Sequence, residues 1–183
     1  LYQGDEIGIG EVEIPPERVR DPQDLRQPGL GIGRDRSRTP IPWDASAYAG
    51  FSSVDPWLPL NEDWSVRNVA AQDRDSSSLL SLYRFLLALR RSNDALAIGD
   101  FTLMDAAEDV LAYQRRFAGD RLLIVLNLSN ETRPLSLSPP LPRDTRIADV
   151  LASTLWPANL ARRPVDSLLA PNEGLVLRLK EEY

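Results

Sequence analysis

Hydrophobic positions follow three different patterns along the chain. Residues 1–75 show no sustained period and are interrupted by prolines and glycines, which prevent long helices. Residues 76–91 repeat apolar side chains at helical spacing, at Leu79, Leu82, Tyr83, Leu86 and Leu89. From about residue 99 onward, short apolar runs alternate with turn residues. The pattern therefore predicts a long loop, one amphipathic helix and a group of short strands.

The long loop is predicted to be ordered. Most connections in compact domains have roughly 4–6 residues, and longer ones are usually functional or disordered. This one carries Trp43, Phe51, Trp57 and Trp64, which favour order. Trp43 could stack on a sugar, but we favour the interpretation that it anchors the loop in the core. We expect Trp57 and Trp64 to be buried anchors as well. The apolar start, Leu1–Gln3, is predicted to be a short strand.

The predicted helix has recognisable ends. Asp75 or Ser76 is suited to cap its N-terminus, and Arg90 and Arg91 lie in the last turn, where cations are favourable. Since Leu80 and Leu87 widen the apolar stripe, one side of the helix is expected to be well buried.

The strand-forming runs indicate an antiparallel sheet or sandwich, because no helices separate them. Leu122–Leu128 carries apolar side chains on both faces, which predicts a central strand. Ala118-Gly119-Asp120 is a predicted hairpin connection. The predicted strands are Phe101–Met104, Val110–Phe117, Leu122–Leu128, Arg133–Leu137, Thr145–Leu151 and Leu175–Leu179.

Composition excludes several functions. With 21 Lys+Arg against 27 Asp+Glu, the net charge of -6 argues against a nucleic-acid partner. The absence of Cys and His removes thiolate and imidazole chemistry and fits a reducing compartment, so we expect a cytoplasmic protein without a cofactor. No apolar run is long enough to span a membrane. Asp63, Asp73 and Asp75 lack the spacing of a calcium loop, so no metal site is predicted.

Five short motifs occur in order through the first 75 residues. They are LYQGDEIG at 1–8, GRDRSRTPIPWD at 33–44, AGFS at 49–52, PWLP at 56–59 and NVAAQ at 68–72. Together they resemble the α-glucosidases and oligo-1,6-glucosidases of glycoside hydrolase family 13, in the α-amylase superfamily. The second motif resembles the family's G-R-D-x-x-R-T-P-x-x-W-D stretch.

The resemblance implies an α+β fold with two parts. Residues 1–96 would be the last strand, loop and helix of a (β/α)8 catalytic barrel, that is, the terminal βα unit of an incomplete TIM barrel with a long active-site loop. Residues 97–183 would be a small C-terminal antiparallel β-sandwich domain. The chain is thus expected to be a C-terminal fragment, with the N-terminal barrel portion of the same enzyme as its partner.

The resemblance also implies a retaining α-glucosidase acting on maltose-, isomaltose- or sucrose-like α-gluco-oligosaccharides. In similar enzymes the catalytic carboxylates follow earlier barrel strands, so no catalytic residue is assigned here and the fragment alone is expected to be inactive. Asp5 and Glu6 do not replace them: a retaining enzyme needs carboxyl groups about 5–5.5 Å apart on either side of the bond. Adjacent strand residues instead point to opposite sides.

Arg34 is the predicted substrate-binding residue. In similar enzymes the matching arginine lies in the subsite for the non-reducing glucose and pairs with a carboxylate from near the N-terminus. The planar fork of a guanidinium suits that role. The alternative is that Arg34 only holds the loop through a salt bridge. Asp35 and Arg38 are expected to have structural roles in the loop.

Two other functions remain open at this stage. The chain is alternatively a non-catalytic β-sandwich module that binds carbohydrate or protein, or the C-terminal half of a split transglucosylase or sucrose isomerase. The coding sequence upstream of Leu1 distinguishes them, since the first proposal requires catalytic motifs there.

Overall fold

A computed structural model describes residues 1–155 and 168–181 of the chain, which divides into two compact units, Leu1–Arg84 and Phe85–Tyr183. The described helices are α1 (Pro22–Arg26), α2 (Val69–Asp73), α3 (Leu79–Ser92) and α4 (Asp94–Ile98). The described strands are β1 (Asp100–Ala106), β2 (Val110–Phe117), β3 (Asp120–Asn127), β4 (Arg133–Pro134), β5 (Leu137–Ser138), β6 (Thr145–Ser153), β7 (Leu168–Leu169) and β8 (Gly174–Glu181). None of the helices in these residues is long and apolar enough to cross a bilayer.

The first unit is built from turns and short helices. The predicted strand at Leu1–Gln3 is wrong for this chain, because a strand needs a paired neighbour and the described residues supply none. The segment turns instead into a single 3₁₀ turn, Asp5–Ile7, and the Asp5 carboxylate accepts the N–H of Tyr2 at 2.8 Å.

The interior of the first unit is held together largely by polar contacts. Ile7 and Ala49 are fully buried, and the polar residue Asn68 is almost completely buried beside them in the same unit. The Asn68 side chain caps α2 and donates to two carbonyls of the preceding turn. The Gln72 side chain joins distant segments: it donates to the Ile7 carbonyl at 2.8 Å and accepts the Leu80 N–H at 3.1 Å. These contacts agree with the prediction of an ordered loop.

Helix α3 begins three residues later than predicted. Ser78, not Asp75 or Ser76, caps it, since the Ser81 N–H donates to the Ser78 hydroxyl at 3.2 Å. The expectation of a well-buried side is also wrong: Leu80 is the buried residue of the helix. The rest of the apolar stripe is half-buried or exposed, because no sheet among the described residues packs along it.

The second unit contains a six-stranded antiparallel sheet in the order β5-β1-β2-β3-β8-β6 and a two-stranded sheet of β4 and β7. The predicted central position of β3 is confirmed, since it lies between β2 and β8 with residues 122–125 buried. The predicted hairpin is also confirmed. Ala118 and Gly119 both have positive φ, which matches the right-handed twist of the flanking strands.

Each face of the larger sheet has its own core. One cluster includes Leu123, Val125 and Leu177 and is joined by Leu135 and by Leu169 of the small sheet. The opposite cluster contains Leu122 and Ile124, covered by Ala95 of α4. Helix α4 had not been predicted; the Asn93 side chain caps it by accepting the Leu96 N–H at 3.1 Å.

The run Arg133–Leu137 is not one strand. It separates into β4, which pairs with β7, and β5, which pairs with β1. Pro134 has no N–H to continue a ladder, so the chain changes its pairing partner there.

Candidate functional site

Arg34 lies immediately before a 3₁₀ turn, Asp35–Ser37, in the first unit. Its side chain is exposed and, within residues 1–155 and 168–181, it forms no ion pair. The described contacts therefore contain no salt bridge through which Arg34 would hold the loop. The five N–H donors of the guanidinium are available to a ligand.

The backbone of Arg34 is fixed on both sides. Its N–H donates to the Asp21 carboxylate at 3.1 Å, and its carbonyl accepts the backbone N–H of Ser37 at 3.1 Å and the Ser37 hydroxyl at 3.2 Å. The preceding residue, Gly33, donates its N–H to the Asp24 carboxylate at 2.8 Å. An exposed side chain is thus carried on a well-anchored main chain.

Asp35 is the buried residue of this group, at 6% exposed. One of its carboxylate oxygens accepts the N–H groups of Arg20 at 2.6 Å and Asp21 at 2.8 Å. Charge-assisted bonds of this kind are about twice as strong as neutral ones, and they satisfy a carboxylate that is largely out of water. The contacts agree with the structural role expected of Asp35.

The surroundings of Arg34 lower the pKa values of two nearby side chains, Asp21 and Tyr2. Hydrogen bonds from the N–H groups of Gln23 and Arg34 lower the pKa of the Asp21 carboxyl, and the charges of Arg34 and Arg38 lower it further. Hydrogen bonds with Ser37 and Arg38 lower the pKa of the Tyr2 phenol. Tyr2 is 48% exposed, and the positive charges of Arg38 and Arg34 also lower the pKa of its phenol.

Five other acidic residues of the first unit make local contacts. The carboxylates of Asp5 and Glu6 accept the N–H groups of Tyr2 and Gly4. Those of Asp63, Asp73 and Asp75 bind the side chain of Arg67, the side chain of Arg84 and Ser77, respectively. Among the described residues, no group of three or more acidic side chains is placed to hold a metal ion.

The tryptophans differ from expectation. Trp43 is 53% exposed and Trp57 is 67% exposed, so neither is an anchor buried in the core of this chain. The main chain does the anchoring instead: the Trp43 N–H donates to the Ala49 carbonyl, and its carbonyl accepts the Ala70 N–H. Trp64 is half-buried.

A strained turn follows Trp43. Tyr48 and Ala49 both have left-handed backbone angles, with φ of 53° and 59°, and Gly50 continues them at 63°. Left-handed conformation costs about 1–2 kcal/mol for a residue with a side chain. Hydrogen bonds from the N–H groups of Trp43 and Asp44 to the Ala49 carbonyl, together with complete burial of Ala49, hold the turn in place.

Sequence reasoning named Arg34 as a candidate and assigned no role to Asp21 or Asp24. The signal for Asp21 as a helix cap was present, because Asp precedes Pro22 at the first helical position. Nothing in the spacing indicates that its second oxygen reaches residue 34. The carboxylates beside Arg34 all accept backbone N–H groups, so their described contacts hold the main chain of the loop.

Comparison with known proteins gives a consistent picture. A sequence model of the alpha-amylase family, described as the alpha amylase catalytic domain, matches residues 1–99. The chain is 35% identical over 131 residues to a probable alpha-glucosidase of Rhizobium meliloti strain 1021, covering 72% of this chain and 24% of that protein. It is 35% identical over 154 residues to a glucan 1,6-alpha-glucosidase of Streptococcus pneumoniae serotype 4, covering 75% and 29%.

A solved structure extends the likeness to nearly the whole chain. Trehalulose synthase MutB from Pseudomonas mesoacidophila MX-45 superposes with a TM-score of 0.83 at 29% identity, covering 98% of this chain and 35% of that one. The chain therefore spans well under half the length of the proteins it matches.

Proposed function

The chain belongs to the alpha-amylase family, and on this premise we propose that it forms the C-terminal part of a retaining α-glucosidase. The longer polypeptide would hydrolyse α-glucosidic bonds in maltose-, isomaltose- or sucrose-like saccharides. Two relatives named as an alpha-glucosidase and a glucan 1,6-alpha-glucosidase support this substrate class. With no Cys in the sequence, we place the enzyme in the cytoplasm.

We assign residues 1–96 to the last βα unit of a (β/α)8 barrel and residues 97–183 to a C-terminal antiparallel β-sandwich. The basis for this division is that the family match ends at residue 99 and β1 begins at Asp100. The two sheets of the second unit, which share one hydrophobic cluster, support the sandwich description. Leu1–Gln3 would become a strand only beside the neighbouring barrel strands.

The N-terminal barrel portion is proposed to bring the reacting carboxylates. Barrel enzymes assemble their active sites from loops at the C-terminal ends of several strands. In this chain the acidic side chains beside Arg34 are occupied by backbone groups, so they are not placed to act as nucleophile or acid.

The observation that carries the proposal at this site is the exposed guanidinium of Arg34 on an anchored main chain. We assign it to binding the terminal glucose of the substrate. A neutral sugar offers hydroxyl oxygens as acceptors, and the guanidinium offers a fixed fork of donors.

The test is kinetic and uses the longer polypeptide. Arg34→Ala should lower kcat/KM for a disaccharide α-glucoside at least about tenfold, equivalent to about 1.4 kcal/mol. Arg26→Ala is the matched control, because Arg26 is also exposed and lies in the same unit, at the end of α1. Normal kinetics of the Arg34 variant would remove this residue from the site. No hydrolysis by the unmodified polypeptide would refute the activity itself.

Transfer of glucose is the second candidate function, favoured by the structural likeness to a trehalulose synthase. A hydrolase and an isomerase of this family differ in what attacks the glucosyl group, water or a sugar hydroxyl. Product analysis with sucrose distinguishes them: free glucose and fructose indicate hydrolysis, and an isomeric disaccharide indicates transfer.

A further inference from the structure

Two segments of the long loop, residues 20–24 and 33–35, exchange hydrogen bonds in both directions. Asp21 and Asp24 accept the N–H groups of Arg34 and Gly33, while Asp35 accepts those of Arg20 and Asp21. We infer that Asp21 is a positioning residue for Arg34, holding its main chain so that the guanidinium faces the sugar. This inference rests on the proposed function.

Asp21 uses both of its carboxylate oxygens. One accepts the Gln23 N–H at 2.8 Å and caps α1; the other accepts the Arg34 N–H at 3.1 Å. Helix α1 therefore begins at the residue that also fixes Arg34. Because both oxygens serve main-chain donors, Asp21 anchors Arg34 without forming an ion pair with its guanidinium.

Asp35 supports the arrangement from the other side. Its buried carboxylate accepts the N–H of Asp21 at 2.8 Å. Asp21 therefore holds the main chain of Arg34, and Asp35, the next residue after Arg34, holds the main chain of Asp21. Displacement of either segment breaks bonds made by the other. Such reciprocal contacts orient a side chain more firmly than either bond alone, because the two segments cannot move independently.

Asp21→Asn separates the two roles of the side chain. Asn caps helices as well as Asp does, so its single oxygen can keep the Gln23 N–H. Its amide then presents N–H donors to the Arg34 N–H, and that hydrogen bond is lost. We expect kcat/KM of the longer polypeptide to fall about tenfold with little change in the thermal midpoint. Asp55→Asn, which also removes an acidic partner in this unit, is the control and should leave kinetics unchanged.

A double-mutant cycle shows whether Asp21 acts through Arg34. In an Arg34→Ala background, which keeps the main chain, Asp21→Asn should change kcat/KM by less than about twofold. A full additional loss in that background would overturn the inference, because it would indicate a general structural role. Unchanged kinetics of Asp21→Asn alone would overturn it equally.

Amide hydrogen exchange provides a readout independent of activity. The Arg34 N–H should exchange faster in Asp21→Asn, and also in Asp21→Ser, whose shorter side chain keeps the helix cap but cannot reach residue 34. Equal protection in the variants and the unmodified protein would contradict the inference. If the unmodified polypeptide does not hydrolyse α-glucosides, the proposed function fails, whereas the exchange rate of the Arg34 N–H still decides whether Asp21 holds the Arg34 main chain.

Discussion

Two glycines of the sequence motifs have a direct physical explanation in neighbouring aspartates. At Gly33, a side chain would place its Cβ 2.1 Å from the Asp24 carboxylate that binds the Gly33 N–H. At Gly50, where φ is +63°, a Cβ would lie 2.8 Å from Asp44. In both places the carboxylate occupies the space that any other residue would need, which explains the first letter of GRD and the second of AGFS.

Gly50→Ala should therefore destabilise the longer polypeptide. A left-handed alanine costs about 1–2 kcal/mol, and displacement of Asp44 adds to it. The loss should appear as a lower midpoint of thermal unfolding. Gly10→Ala is the control, since nothing lies within 4 Å of its Cβ position and its φ is ordinary. A Gly50 variant as stable as the Gly10 variant would contradict this account.

At the residue scale, the sequence predicts a role for a residue inside a recognisable motif, but it does not predict contacts between distant segments. Arg34 stands in a recognisable stretch, so a binding role was predicted before any geometry. Asp21 lies 13 residues away from it. Its hydrogen bond to Arg34 depends on the path of the loop, which no local periodicity encodes. The exposure of Trp43 was mispredicted for a related reason: burial depends on the neighbours available, not on the apolar character of the residue.

At the scale of one element, the sequence predicted the existence of helix α3 but not its first residue. Its spacing predicted a helix, and a helix is present at Leu79–Ser92. Its start was misplaced because four candidates for a cap, Asp75, Ser76, Ser77 and Ser78, follow one another in the sequence. Asp75 proved to cap the preceding turn instead, through the N–H and hydroxyl of Ser77.

Ser78→Ala should destabilise the N-terminus of α3 by about 1 kcal/mol, the usual loss for a serine cap. The Ser78 hydroxyl also donates to the Gln72 carbonyl at 2.8 Å, so a second bond disappears with it. Denaturant unfolding of the longer polypeptide measures the difference. Ser76→Ala is the matched control because Ser76 is exposed, and it should change stability by less than about 0.5 kcal/mol. Equal effects of the two substitutions would rule out Ser78 as the cap.

The strands were predicted well where alternation is local and poorly where pairing is distant. The predicted limits of β2 are those observed. The insertion of β8 between β3 and β6 was not predictable, because apolar alternation identifies faces but not neighbours. The short strands β4 and β5 were merged for the same reason, since only their separate partners distinguish them.

At the scale of the whole molecule, both units expose large apolar side chains. In the second unit, Phe101 and Leu103 of β1 are 57% and 61% exposed. In the first, Leu25, Trp43 and Trp57 are more than half exposed. Exposed apolar surface of this extent is typical of faces that are covered by other protein, which is in line with relatives several times longer than this chain.

The 183-residue chain alone should not hydrolyse a chromogenic α-glucoside. The carboxylate pair that a retaining enzyme requires is proposed to lie in the N-terminal barrel portion of the longer polypeptide. The assay compares the two proteins at equal molar concentration with the same substrate. Turnover by the pure chain, undiminished by Arg34→Ala, would refute both the assignment of Arg34 and the absence of catalytic residues here.

The continuity of α3 across the division between Arg84 and Phe85 has a practical meaning for chimeric enzymes. Recombining two homologues at that point would build one helix from the N-terminal turns of one parent and the C-terminal turns of the other. Cleavage there would leave two stubs, each shorter than the roughly 12–15 residues that an isolated helix needs to persist in water. A crossover that keeps Leu79–Ser92 from a single parent leaves this helix intact.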